Sequence, residues 1–259
     1  MTTTCRQGCS LPEIFPENGR CCGVPIHRRN MAAWSQVLVC VAAMEQLDRE
    51  DDLLRTLFSP GECEQVRQLR FPKRRHEWMA GRIAAKAAAL SMAGCGDASM
   101  ALNRLTLLAD DHGRPAPDSS WPPGVGRPSI SHSHAYAVAM VAGRGCGIDV
   151  QRIEEARIGR LADRIVSKRE KELLQAGVDS WSGTGLTLIW SVKEAMKKMW
   201  YPTRPALFEA TRVEEIISMD DGQWRVVCRL SESGQVQVAT ALQMEQYILA
   251  WCTEDGNNA

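Results

Sequence analysis

Apolar residues recur at two periods along this chain, and those periods sort it into helices and strands. From Trp34, the residues Val37, Val39 and Val41 alternate with others, which predicts a strand. Leu47, Leu53, Leu54 and Leu57 mark a short helical region. Ser59-Pro60-Gly61-Glu62 reads as a helix start, with a Ser cap, Pro at the first position and Glu three after the cap. That helix runs to about Leu69, before Pro72. An alanine-rich helix is expected from Lys73 to Met92, burying Trp78, Ile83, Ala87 and Leu90. The turn-rich span 110–128 predicts a surface loop.

Ser129 to Ser133 leads into the apolar run 135–141, a strand. Gly143 and Gly145 then predict a turn, so that this strand and Gly147-Ile148-Asp149-Val150-Gln151 would form a hairpin. Ser167-Lys168-Arg169-Glu170 is a second capping box, opening a helix with Leu173 and Leu174 inward. Gly183 and Gly185 read as a flexible turn, because their spacing fits neither Gly-rich nucleotide fingerprint. Leu186, Ile189, Trp190, Val192 and Met196 recur at helical spacing until Pro202. Strands follow over 224–230, 236–242 and 247–252. This order of elements predicts an α+β chain, not a regular βαβ series.

Candidate chemistry lies on two of these elements. In a strand, residues two apart share a face, so Asp149 and Gln151 point one way while Ile148 and Val150 point into a core. The helix ending at Pro202 supplies Glu194, with Lys193 and Lys197 read as neighbours on its surface. Asp149, Gln151 and Glu194 form an oxygen-only set, which suits Mg2+ shared with substrate phosphates. Lys193 and Lys197 would contact those phosphates. The set points to metal-assisted chemistry on a phosphate ester or anhydride. Read singly, each residue is also an ordinary surface group: a strand-end cap, a solvated helix face, a loop His or Arg.

Charge and cysteines narrow the picture. Lys+Arg and Asp+Glu are both 31, so net charge points to no polyanion. Arg67, Arg70, Lys73, Arg74, Arg75, Arg82 and Lys86 form a basic run, which implies a local anionic partner and not nucleic acid. No apolar stretch is long enough to span a membrane, and the first residues show no continuous apolar signal segment. A cytoplasmic protein is therefore expected, with its ten cysteines as thiols. Cys40, Cys146, Cys228 and Cys252 fall in apolar runs and should be core residues. Cys5, Cys9, Cys21 and Cys22 lie in a Gly/Pro/polar segment without a zinc spacing, which reads as a poorly ordered extension over residues 1–32.

G-I-D followed some forty residues later by W-S-x-K-E-A-x-x-K resembles the signature pair of the 4'-phosphopantetheinyl transferases. The larger type, exemplified by the surfactin-synthetase-activating enzyme, is the nearer likeness. Ser129-Ile130-Ser131-His132-Ser133 and the helix around Met79-Ala80-Gly81-Arg82 agree with it, and the likeness spans roughly residues 35 to 252. It implies two similar α+β halves, 33–144 and 145–259, with the active site between them and the metal site on the second. The implied reaction moves the phosphopantetheine arm of coenzyme A to a serine of an acyl- or peptidyl-carrier protein and releases adenosine 3',5'-bisphosphate. On this resemblance Asp149, Gln151 and Glu194 bind Mg2+, and Glu194 is also the candidate base. Lys193 and Lys197 contact phosphate, Ser131, His132 and Arg114 bind coenzyme A phosphates, and Lys73, Arg75 and Arg82 are candidates for the 3'-phosphate. Many members carry a second acid where this chain has Gln151. The resemblance also implies a monomer. Two rivals use the same residues: a metal-dependent hydrolase of nucleotide phosphates, and a non-catalytic coenzyme A or carrier-binding module.

Overall fold

Hydrogen-bonded strands and the helices that cover them divide the chain into two units, Pro12–Cys146 and Gly147–Ala259. The computed structural model describes residues 17–21, 24–48, 51–95, 102–177, 183–203 and 208–254.

The first unit begins with β1 (Glu17–Cys21), β2 (Val24–Met31) and β3 (Trp34–Cys40). β1 and β2 pair antiparallel with Cys21 opposite Val24, and β2 continues onto β3. Val24 and Ile26 are buried while Pro25 between them is exposed, the alternation of a half-buried strand. The extension expected over residues 1–32 thus gives way to strands from Glu17 on. Cys5, Cys9 and Cys22 lie outside the described residues.

Helices α1 (Met44–Leu47), α2 (Asp51–Leu57), α3 (Pro60–Gln68) and α4 (Pro72–Met92) follow, the last two within a residue of their expected bounds. Every residue of α4 from Met79 to Leu90 is buried, so the expected single stripe is in fact a core helix enclosed on all sides. Its alanines permit this close packing on β3 and on β7 (Tyr136–Ala142). Between them, β4 (Leu107–Ala109), just before the expected loop, and β5 (Pro115–Pro117), within it, form a small ribbon, and β6 (Ser129–Ser133) pairs with β7. The sheet order is β1-β2-β3-β7-β6.

The second unit holds β8 (Cys146–Arg152), α5 (Glu155–Ile165), α6 (Lys168–Gly177), α7 (Gly183–Trp200), β9 (Thr211–Ser218), β10 (Gln223–Leu230), β11 (Val236–Met244) and β12 (Tyr247–Thr253). Its sheet order is β8-β12-β11-β10-β9, with α7 packed on β12 and β11. The expected hairpin between the strands flanking Gly143 and Gly145 does not form. β7 already has β3 and β6 on its two edges, and β8 takes its place beside β12 in the other sheet. Gly183 and Gly185 belong to α7 instead of a turn. A Cβ at Gly183 would stand 2.5 Å from Glu155 Cγ, so glycine is what lets α7 begin there.

The two units repeat one polar device. Lys86 on α4 donates to Glu62 Oε2 at 2.5 Å and to the carbonyls of Leu57, Leu102 and Leu105. Glu62 accepts from the Ser59 and Leu107 backbone N–H groups. In the second unit Lys193 on α7 donates to Glu170 Oε1 and Oε2 at 2.8 and 2.9 Å and to the Ile165 carbonyl at 2.8 Å. Glu170 accepts from the Ser167 and Val213 N–H groups. In each unit the acid stands third after a serine that opens a helix, and the carbonyl comes from two residues before that serine.

Candidate active site

Strand β8 and helix α7 bring the sequence-predicted acids together. Gly147 makes this possible: a Cβ there would lie 2.0 Å from the Ala195 carbonyl oxygen, so only glycine lets α7 rest on β8 at that point. Two residues along the same strand face, Asp149 is 2% exposed, while Ile148 and Val150 are fully buried. Gln151 continues the face of Asp149 and is half-buried. Glu194 sits on α7 with its side chain 17% exposed.

The electrostatics tie the two carboxylates to each other. Burial raises the Glu194 pKa, and the Asp149 charge raises it further, against the opposing pull of Lys197 and Lys198. Lys197 Nζ stands 3.8 Å from Glu194 Oε2. Lys198 Nζ donates to Asp149 Oδ1 at 2.7 Å and to the Ile148 carbonyl at 2.9 Å. Two acids sharing a poorly hydrated space, with two ammonium groups beside them, are what a dication and a polyphosphate would both find favourable. Among the described residues no group of three His, Cys, Asp or Glu side chains could hold a metal ion. A cation at Asp149 and Glu194 would therefore complete its shell with amide oxygen, phosphate or water, which fits Mg2+.

Two lysine assignments change. Lys193 does not lie beside Lys197 on the surface: it is 5% exposed, and its ammonium is held by Glu170 and Ile165. Lys198, four residues after Glu194 and expected in the same basic stripe, instead holds Asp149. The signal was present, because W-S-x-K-E-A-x-x-K counted from Trp190 ends on Lys198 and not on Lys197.

The predicted coenzyme A residues of the first unit divide by environment. Arg82 is buried, donates to the Leu107 and Leu108 carbonyls and lies over the Trp78 ring at 4.6 Å. Burial lowers its pKa to about 10. It is a core residue, and the 3'-phosphate role expected of it is corrected. Arg75 is clamped to Asp48 through Nε at 2.6 Å and through Nη2, and donates to the Leu69 carbonyl at 3.1 Å. Asp48 already neutralises it. Lys73 is 77% exposed, and its Nζ stands 3.9 Å from Glu77. His132 Nδ1 approaches the same carboxylate at 3.6 Å. Ser131 is buried beside His132 on β6, and Arg114 pairs with Asp110 at 2.7 Å. Lys73 and His132 thus meet at Glu77, while Arg75, Arg82 and Arg114 are each engaged elsewhere.

Two family models match the chain in succession: the 4'-phosphopantetheinyl transferase N-terminal domain over residues 64–142, and the 4'-phosphopantetheinyl transferase superfamily model over residues 145–252. The chain belongs to the 4'-phosphopantetheinyl transferase superfamily. Its α+β architecture of two units is that of the superfamily's two domains. Phosphopantetheine transfer by an enzyme of the holo-carrier-protein-synthase kind is the activity this membership supports, with coenzyme A as the substrate the superfamily uses. Asp149, Gln151, Glu194, Lys197 and Lys198 fall within the superfamily match, and Lys73, Arg114, Ser131 and His132 within the N-terminal-domain match. Among curated proteins no match reaches significance. No helix of the described residues is long and apolar enough to cross a membrane.

Proposed function

We propose that the chain transfers the 4'-phosphopantetheine arm of coenzyme A to a serine hydroxyl of an acyl- or peptidyl-carrier protein, with Mg2+, as a cytoplasmic monomer of the larger, surfactin-synthetase-activating type. The observation that supports this most is the Asp149–Glu194 pair: two partly desolvated carboxylates whose charges repel, flanked by Lys197 and Lys198, in a chain of this superfamily. Asp149 and Glu194 would hold Mg2+, with Gln151 as a neutral third oxygen donor. When bound, Mg2+ supplies charge neutralisation at the pyrophosphate.

The protein's own groups do the rest. Lys197, and Lys198 once turned from Asp149, contact phosphate oxygens and fix the pyrophosphate for attack. Glu194 accepts the proton of the serine hydroxyl as its oxygen attacks phosphorus. In the first unit, exposed Lys73 takes the 3'-phosphate, and His132, Ser131 and, once turned from Asp110, Arg114 contact the remaining coenzyme A phosphates. Adenosine 3',5'-bisphosphate leaves.

Coenzyme A and Mg2+ are incubated with the protein, with and without an apo-carrier, and bisphosphate release is followed by chromatography. Release that requires the carrier is expected. Release at the same rate without carrier would mean that water is the acceptor, the reaction of a nucleotide-phosphate hydrolase. Binding of coenzyme A without any turnover would reduce the chain to a binding module.

A further inference from the structure

The lysine preceding Glu194 belongs to the fold in this chain. We infer that Lys193 is a positioning residue, which holds α7 so that Glu194 reaches Asp149, and that it is not a phosphate ligand of coenzyme A. The inference refines the coenzyme A reading above and rests on it for the ligand measurements alone.

Three observations carry it. The Lys193 ammonium has three short acceptors, both Glu170 oxygens and the Ile165 carbonyl, which match its three N–H donors. A phosphate oxygen would have to displace one of them inside a site where the lysine is 5% exposed and Glu170 is not exposed at all. Those acceptors come from the end of α5 and from α6, and Glu170 in turn holds the Val213 N–H of β9. One ion pair therefore pins α7 to three neighbouring segments, one residue before Glu194. The third observation is an internal control. Lys86 makes the same ion pair with Glu62 in the first unit, from the same place relative to a helix-opening serine, and its next residue is buried Ala87. The device is present there with no acid behind it. In both units it ties a long helix to the segments around a helix-opening serine, and Glu194 is what the second unit adds.

Lys193→Met leaves the Glu170 carboxylate buried without its cation. Lys193→Met with Glu170→Gln removes both charges, and the amide oxygen can still accept one of the two backbone N–H groups that Glu170 holds. Both variants, and Lys86→Met with and without Glu62→Gln, are measured for melting temperature, for coenzyme A affinity by calorimetry, and for turnover. The single lysine variants are expected to melt well below wild type, and each paired variant above its single. At a temperature where Lys193→Met is folded, it should lose turnover with little change in KM for coenzyme A. The Lys193→Met/Glu170→Gln protein should bind coenzyme A within about threefold of wild type, near the limit of additivity for such substitutions, and regain turnover. A paired variant that is stable yet binds coenzyme A on the order of 10- to 100-fold more weakly would make Lys193 a phosphate ligand and overturn the inference. A paired variant that melts no higher than Lys193→Met would overturn it as well. A wild type that binds no coenzyme A removes the functional reading instead, and the melting comparison then decides the role of the ion pair by itself.

Discussion

Glu194 shows how one side chain can work against the fold and for the chemistry. Burial and the Asp149 charge raise its pKa above the ordinary carboxylate value. A carboxyl whose folded pKa exceeds its unfolded one binds its proton more readily in the native state. Stability therefore falls as pH rises from the unfolded pKa through the folded one. At neutral pH the ionised group is a net destabiliser, so Glu194→Gln should melt no lower than wild type there. That advantage should shrink as pH is lowered through the carboxylate range, which a pH series of melting curves would read. The same substitution should lower transfer by about 100- to 10,000-fold, the usual contribution of a general base. A Glu194→Gln protein that melts lower and transfers at the wild-type rate would remove Glu194 from both roles.

At the scale of elements, the close approach of α7 to β8 decides whether Glu194 and Asp149 meet. Gly147 is the contact point, and the obstacle to a larger residue is the backbone carbonyl of Ala195, which cannot swing aside as a side chain can. Gly147→Ala should therefore destabilise by about 1–3 kcal/mol, as overpacking does. Transfer should fall further than the melting temperature suggests, because α7 must lift from the strand that bears Asp149. Denaturant unfolding and turnover of the folded fraction check the two effects separately; an alanine variant with wild-type stability would show that the helix sits farther off. The sequence made both motif-bearing elements legible, since G-I-D has strand alternation and the Leu186–Met196 run has helical period. Their contact was not legible, nor was the neighbour of β8. That neighbour is β12, about a hundred residues later, and nothing in a local pattern encodes a pairing so distant. Lys193 misled for a related reason. A buried ion pair and a solvated lysine look alike in a periodicity of charges, and only the fold brings Glu170 to it.

In the molecule as a whole, one polar device recurs in two units, and the paired acids Asp149 and Glu194 stand on the second. Each unit has a long helix on an antiparallel sheet and a buried lysine–glutamate pair below the helix. The duplication was not visible in the sequence, because the apolar positions vary freely in identity while the ion pairs and serine caps are too sparse to register as a repeat. The chemistry was visible, because Asp149, Glu194 and the flanking lysines stand in the one stretch whose order and spacing match the superfamily. The most direct test is the intact mass of an apo-carrier domain after incubation with coenzyme A and the protein. In Mg2+ the wild type is expected to add one phosphopantetheine arm at the carrier serine, while wild type in excess EDTA and a folded Asp149→Asn protein in Mg2+ add little or none. A mass gain that survives both EDTA and Asp149→Asn at the wild-type rate would contradict the account.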